Sequence, residues 1–216
     1  MTRIVHGAGA SPFVRKVRVA LAEKGLEYDL EPVFPFNPSP EFKKISPLGK
    51  IPVYQEDDYY LPDSSAILDY LEVKYPNPPL FPKDARERGH ALFLEEFADG
   101  GLATKGTAAI FFQRVVGPRF MGHPTDEAIV TKAINEDLPP LQDYLEGLLA
   151  AGGEFLVGSK FSIADIAVAT QFVNLAHARY TVDAGRWPKL AAYLTRIFAR
   201  PTFAKLIEEE RAMFGG

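Results

Sequence analysis

What most constrains the fold of this chain is where its hydrophobic period changes. Up to Tyr75, short apolar runs alternate with helical patterns. Beyond residues 76–82, which hold four prolines and one asparagine, every segment reads as helix. In the first part the pattern predicts a strand over 3–6, ended by Gly7-Ala8-Gly9. A helix follows from Ser11, with Phe13, Val14, Val17, Ala20 and Leu21 spaced by threes and fours and Gly25 as its stop. A strand over 28–33 completes a β-α-β unit, which implies a parallel pair with a right-handed crossover. After a proline-rich stretch with one helical turn near 41–45, strands over 52–55 and 59–61 flank an acidic turn, and a helix runs over 64–75. The remaining pattern predicts helices over 85–100, 103–116, 126–151, 162–179, 187–199 and 201–213.

The order β-α-β then β-β-α is the thioredoxin-like arrangement. We therefore expect a thioredoxin-like α/β domain over residues 1–76, a linker over 77–84 and an all-helical bundle domain over 85–216. A length of 216 residues is enough for two small cores. The net charge of −4 disfavours a nucleic-acid partner. The chain has no cysteine, which excludes disulfides, thiolate metal sites and protein-thiol chemistry, and fits a reducing compartment. The N-terminus lacks the apolar core of a signal peptide, and no run approaches the roughly 18 apolar residues of a membrane span. A cytoplasmic protein without membrane contact is expected. His6, His90, His123 and His177 stand apart with no metal-ligand spacing, so no metal is expected. Dinucleotide, P-loop and Gly-x-Ser-x-Gly signatures are absent.

Three segments can carry chemistry. Ser11-Pro12 reads as a helix start, serine as N-cap and proline at the first helical position. The free N–H groups and dipole of such an end also favour an anion, a thiolate included. A thiol with a pKa near 8.5 is only a few per cent ionised at pH 7, and lowering it by about two units takes roughly 2.7 kcal/mol. A helix end supplies roughly 0.3–1 kcal/mol. A hydroxyl donating to the sulfur adds roughly 1.5–3 kcal/mol, so capping and thiolate stabilisation are compatible roles for Ser11. Ile51-Pro52 precedes a strand; were that bond cis, the Ile51 backbone groups would turn outward and an extended peptide could pair with them. Asp63-Ser64 reads as an N-cap pair, and Lys50 as a loop lysine in solvent.

Ser11-Pro12-Phe13-Val14-Arg15-Lys16-Val17-Arg18, Gly49-Lys50-Ile51-Pro52-Val53 and Asp63-Ser64-Ser65-Ala66-Ile67 together resemble the glutathione site of the glutathione transferase superfamily. The first is similar to the start of serine-type members, notably the tau class and many bacterial ones. The resemblance implies that glutathione is co-substrate and that Ser11 is the catalytic hydroxyl on its sulfur. It also implies that Phe13, Ile51 and a cis Pro52 belong to the site and that Lys50 meets the glycine carboxylate. At the γ-glutamyl end, Asp63 takes the ammonium, and Ser64 with its helix N-terminus the carboxylate. Most relatives carry Glu where this chain has Asp63, an acid one methylene shorter. The resemblance further implies a homodimer and a small hydrophobic electrophile.

In the helical part, Ser162-Ile163-Ala164-Asp165 reads as a capping box with a structural role. The phenylalanines at 93, 97, 111, 112 and 120 suit either core or pocket; Thr104, Thr107 and Phe111 are the candidates nearest the electrophile. Gly100-Gly101 and Gly106 suggest a break or bend. The resemblance thus points to a detoxification enzyme that transfers glutathione or reduces peroxides with it. The alternative is a non-catalytic ligand carrier or protein-binding module.

Overall fold

The computed structural model describes residues 2–214, and the chain divides into two compact units. The first holds β1 (Arg3–His6), α1 (Pro12–Glu23), β2 (Asp29–Glu31), α2 (Pro40–Ile45), β3 (Val53–Glu56), β4 (Tyr59–Pro62) and α3 (Ser64–Lys74). Its sheet has the order β2-β1-β3-β4, with β1 and β2 parallel and β3 antiparallel to both neighbours. This is the thioredoxin-like arrangement. α1 and α3 pack together and bury Val14, Val17, Ala20, Leu21, Ile67, Leu68 and Leu71 with Val5 and Val53 of the sheet.

The first unit runs to Leu80 and takes up the chain again from Glu208. That differs from the expected split. Lys24 Nζ donates to Glu72 Oε2 and the Tyr75 carbonyl, both at 2.7 Å, and to the Pro78 carbonyl at 3.0 Å. Glu72 also accepts the Leu80 N–H at 3.1 Å. The first half of the expected linker is therefore fastened to α1 and α3.

A buried carboxylate ties α3 to the sheet. Glu56 of β3 is 3% exposed; it is paired with Arg3 at 3.3 Å and with Lys74, and it accepts hydrogen bonds from the Tyr70 hydroxyl at 2.6 Å and from Tyr75. Burial alone would raise its pKa, but the bonds from Lys74, Tyr70 and Tyr75 outweigh it and hold the carboxyl at about 2, against 4.5 ordinarily. Because the folded value is the depressed one, the stabilisation is present above about pH 4.5 and is lost as pH falls towards 2. We expect urea unfolding to show a loss on the order of 3 kcal/mol over that window that Glu56→Gln lacks. Equal acid slopes in the two proteins would contradict this.

The second unit, from Phe81 to Ile207, is helical. α4 (Ala85–Glu96) continues without a break into a π-helical segment, π1 (Phe97–Met121); α5 (Glu127–Lys132), π2 (Ala133–Asp137), α6 (Pro139–Ala150), α7 (Ile163–His177), α8 (Pro188–Phe198) and α9 (Pro201–Met213) follow. The end of α9 crosses into the first unit. The break expected between 100 and 103 does not occur. A side chain at Gly100 would meet nothing within 4 Å, while Gly106 lets π1 approach Leu138 and Leu175, 3.3 Å from where its Cβ would lie. α7 is the centre of this unit, its residues 163–175 all buried against π1, α4 and α8.

Asp165 closes the start of α7. Its carboxylate accepts the Leu156 N–H at 3.0 Å, the Ser162 N–H at 2.9 Å, the Ser162 hydroxyl at 3.3 Å and the Tyr193 hydroxyl at 2.9 Å. Among the described residues, no helix is long and apolar enough to cross a membrane, and no cluster of three or more His, Cys, Asp or Glu could hold a metal ion.

Candidate functional site

Sheet register brings the three sequence segments to one place. Pairing sets His6 of β1 opposite Val53 of β3, and Val53 opposite Pro62 of β4. One residue beyond that row, at the same end of the sheet, stand Gly7, Pro52 and Asp63. Each leads into or out of one of the three segments. Gly7 has room for no side chain: a Cβ there would lie 2.4 Å from Val14 Cγ2 and 3.4 Å from Ile51 Cβ. The first turn of α1 and the residue before Pro52 therefore close on the same point.

Ser11 is the N-cap of α1, extended at φ −68° and ψ 131°, with Pro12 next. Its N–H donates to the Ala8 carbonyl at 2.9 Å, and its carbonyl accepts from the Arg15 N–H at 2.9 Å. Oγ accepts from the Val14 N–H at 3.5 Å, a long bond that leaves the hydroxyl hydrogen available to another acceptor. Ser11 and Phe13 are both half-buried.

The Ile51–Pro52 bond is cis and Pro52 is buried. The loop before it is shaped by the Ser46 hydroxyl, which donates to the Lys50 carbonyl at 2.7 Å, and by the Gly49 N–H, which donates to the Ser46 carbonyl at 2.8 Å. Lys50 itself is exposed.

Asp63 caps α3 from a left-handed backbone, φ 79°. An L-residue held there costs roughly 1–3 kcal/mol and persists only where its surroundings impose it. One oxygen, Oδ1, accepts the N–H groups of Ser65 at 3.0 Å and Ala66 at 3.1 Å. Two of the helix-end donors anticipated for a ligand carboxylate are thus taken by the chain's own acid. Ser64 is buried at 4% exposure. Lys16 Nζ reaches across from α1 to the Ser65 hydroxyl at 3.3 Å.

In the helical unit, Thr104 is exposed, Thr107 is half-buried, and Phe111 is buried in the core at 6% exposure. The Thr107 hydroxyl donates to Gln171 Oε1 at 2.7 Å; Gln171 lies on α7, fully buried. Phe93 and Phe97 gather at the surface with Tyr144, their ring centroids 6.2 and 5.3 Å from it.

Sequence reasoning missed the burial of the cations on α1. Arg15 and Lys16 are at 0% exposure and Arg18 at 5%, where an amphipathic reading leaves such residues in solvent. Their side-chain partners Glu210, Ser65 and Glu209 lie far along the chain, so no local pattern marks them.

The glutathione S-transferase N-terminal domain family matches residues 5–79, and the glutathione S-transferase C-terminal domain family matches residues 114–210. A zeta-class glutathione S-transferase from Euphorbia esula is 30% identical over 182 residues, 81% of this chain and 76% of that protein. The chain belongs to the glutathione S-transferase family. Among solved structures, a glutathione S-transferase from Rhodospirillum rubrum superposes with a TM-score of 0.87 at 27% identity, covering 95% of this chain and 91% of that one. One from Methylobacterium radiotolerans, in complex with glutathione sulfonate, gives 0.78 at 30% identity over 96% and 95%. These matches specify no class within the family, tau or other.

Proposed function

We propose that this glutathione S-transferase binds glutathione at the end of its sheet, holds the thiol as a thiolate at Ser11 and delivers it to a small apolar electrophile. The observation that supports this most is the row Gly7, Pro52 and Asp63, which gathers a hydroxyl-capped helix start, the half-buried residue before a cis proline and an acid-serine pair. Glutathione is an anion-bearing peptide with one thiol, and these are the groups it needs. Its cysteinyl backbone pairs with Ile51 beside cis Pro52, its glycine carboxylate meets Lys50, and Phe13 lines the site. Asp63 Oδ1 is committed to the helix end, so its second oxygen takes the γ-glutamyl ammonium. The γ-glutamyl carboxylate falls to the Ser64 hydroxyl and N–H.

The hydroxyl of Ser11 has two jobs that do not compete. Its oxygen accepts from Val14 while its hydrogen points to the sulfur, and a chain of that kind polarises each bond. The thiol proton leaves to solvent. The thiolate pair then forms the new sulfur bond and a leaving group departs, or water protonates the adduct. With a peroxide the thiolate attacks one oxygen and the O–O bond breaks: the other oxygen leaves as alcohol or water, the sulfur is oxidised to a sulfenic acid, and a second glutathione thiol displaces that oxygen as water to give the disulfide.

The electrophile is assigned to the helical unit, with Thr104, Thr107 and Phe111 as its candidate contacts. A homodimer is the assembly we expect, and a reducing cytoplasm is the setting in which glutathione stays a thiol. Calorimetric titration tests the reading. Reduced glutathione should bind, and S-hexyl-glutathione, with its alkyl tail, should bind more tightly. No heat from either at millimolar concentration would overturn the proposal.

A further inference from the structure

α1 carries two buried cations whose partners come from the last turns of the chain. Arg15 and Glu210, both at 0% exposure, form a two-pronged pair: Nε donates to Oε1 at 2.8 Å and Nη2 to Oε2 at 2.5 Å. Arg18 donates from Nη2 to Glu209 Oε2 at 2.6 Å and from Nε to the Tyr28 hydroxyl at 2.8 Å. Arg15 and Arg18 are three apart and share a face of α1. Glu209 and Glu210 are consecutive on α9, so their side chains diverge by about 100° and each takes its own arginine. Two pegs fix both the tilt and the rotation of α1, where one would leave a pivot.

The clamp reaches the turn that carries Ser11. Arg15 Nη2 also donates to the Ala10 carbonyl at 3.4 Å, one residue before Ser11, because helical side chains lean towards the N-terminus. A methyl group on Gly9 would lie 3.4 Å from both Arg18 Nη1 and Met213 Cε. The loop ahead of Ser11 is therefore walled by α1's arginines and by the end of α9.

We propose that Glu209 and Glu210 form a positioning clamp for Ser11, setting through Arg15 and Arg18 where its hydroxyl stands relative to the glutathione sulfur. The inference rests on the reading of Ser11 as the group that meets the thiolate. Each arginine has its own glutamate, so the clamp acts by geometry more than by net charge. Geometry matters at this scale, because a misplacement of about 1 Å costs on the order of 100-fold in rate.

The test is the double variant Arg15→Met with Glu210→Leu, which replaces a buried ion pair by apolar side chains of similar volume and so spares the fold. Three quantities are read: amide hydrogen exchange at Val14, the pKa of the bound glutathione thiol, and kcat against KM. We expect the Val14 amide, which donates to Ser11 Oγ, to exchange at least about tenfold faster while α3 is unchanged. The bound thiol should rise by about one pKa unit, kcat at pH 7 should fall about tenfold, and KM for glutathione should move less than about threefold. Wild-type exchange at Val14 would overturn the clamp. So would faster exchange with an unmoved thiol pKa, provided Ser11→Ala moves it. If Ser11→Ala leaves the thiol pKa unmoved, the thiolate reading itself has failed, and exchange at Val14 alone decides whether the clamp holds the Ser11 turn. Should the double variant not fold, Glu209→Gln, which leaves the Arg15 pair intact, should show the same changes at about threefold, and no change would count against the clamp.

Discussion

Replacing Ser11 with alanine is expected to lower glutathione-dependent turnover about 10- to 100-fold at pH 7, with glutathione affinity changed less than about threefold. Ionisation and placement of the sulfur contribute separately. A thiol whose pKa falls from about 8.5 to about 6.5 goes from roughly 3% to roughly 75% thiolate at pH 7, a gain of about 25-fold in reactive species. A less basic thiolate is also a weaker nucleophile, which returns roughly eightfold of that gain for a Brønsted slope near 0.45. Ionisation alone therefore gives only about threefold. The larger share comes from holding the sulfur where the electrophile meets it, and the hydroxyl does this through the same hydrogen bond. The pH–rate profile of the alanine variant should shift alkaline by one to two units or so, and its deficit should persist at high pH. Steady-state kinetics between pH 6 and 9 check both points. A variant with wild-type kcat and profile would remove Ser11 from the mechanism.

The largest expected effect on stability is that of Asp165→Ala. Four donors converge on this buried carboxylate: two N–H groups, from Leu156 and Ser162, and two hydroxyls, from Ser162 and Tyr193. Alanine would leave the Leu156 N–H and the fully buried Tyr193 hydroxyl without their acceptor, at about 1–3 kcal/mol each. Losing the start of α7 adds about 1 kcal/mol. A total of about 3–7 kcal/mol is a large part of a typical folding free energy of about 5–15 kcal/mol. Burial pushes the Asp165 carboxyl up to about 6, against the hydrogen bonds that pull it down. A raised folded value means that its contribution is fullest below 3.8 and weakens as pH rises through about 6, the reverse of Glu56. Chemical denaturation should accordingly find a greater loss for Asp165→Ala at pH 4 than at pH 7. A loss below about 1 kcal/mol at both would contradict this account.

Much of the fold was legible because period and punctuation agreed. The strand, turn and Ser11-Pro12 start at the N-terminus, the proline-rich stretch after Tyr75 and the capping box at Ser162 are local signals, and the elements form close to where those signals stand. The individual site segments could be found for the same reason: a cap or an X-Pro bond is written in two adjacent residues. Their convergence on one site was legible only through the family resemblance. It depends on the register that sets His6, Val53 and Pro62 in one row, and register is a relation between strands. The Arg15–Glu210 pair, 195 residues apart, lies beyond any local pattern. Gly100-Gly101 misled because a glycine pair weakens a helix only where packing does not support it. In π1 the continuous contact of the segment with α7 and α4 overrides that preference. Asp63 reads from the sequence both as an N-cap and, through the resemblance, as an acid for a ligand; its bonds to Ser65 and Ala66 bear out the cap.

The central claim is that glutathione sits in the first unit as a thiolate held by Ser11. It is tested most directly by titrating the ultraviolet absorbance of the thiolate in the wild-type complex against pH. We predict that the bound thiol ionises with a pKa near 6.5, about two units below a free thiol, and that Ser11→Ala returns most of that shift. A bound thiol that still ionises near 8.5, alike in both proteins, would contradict the account.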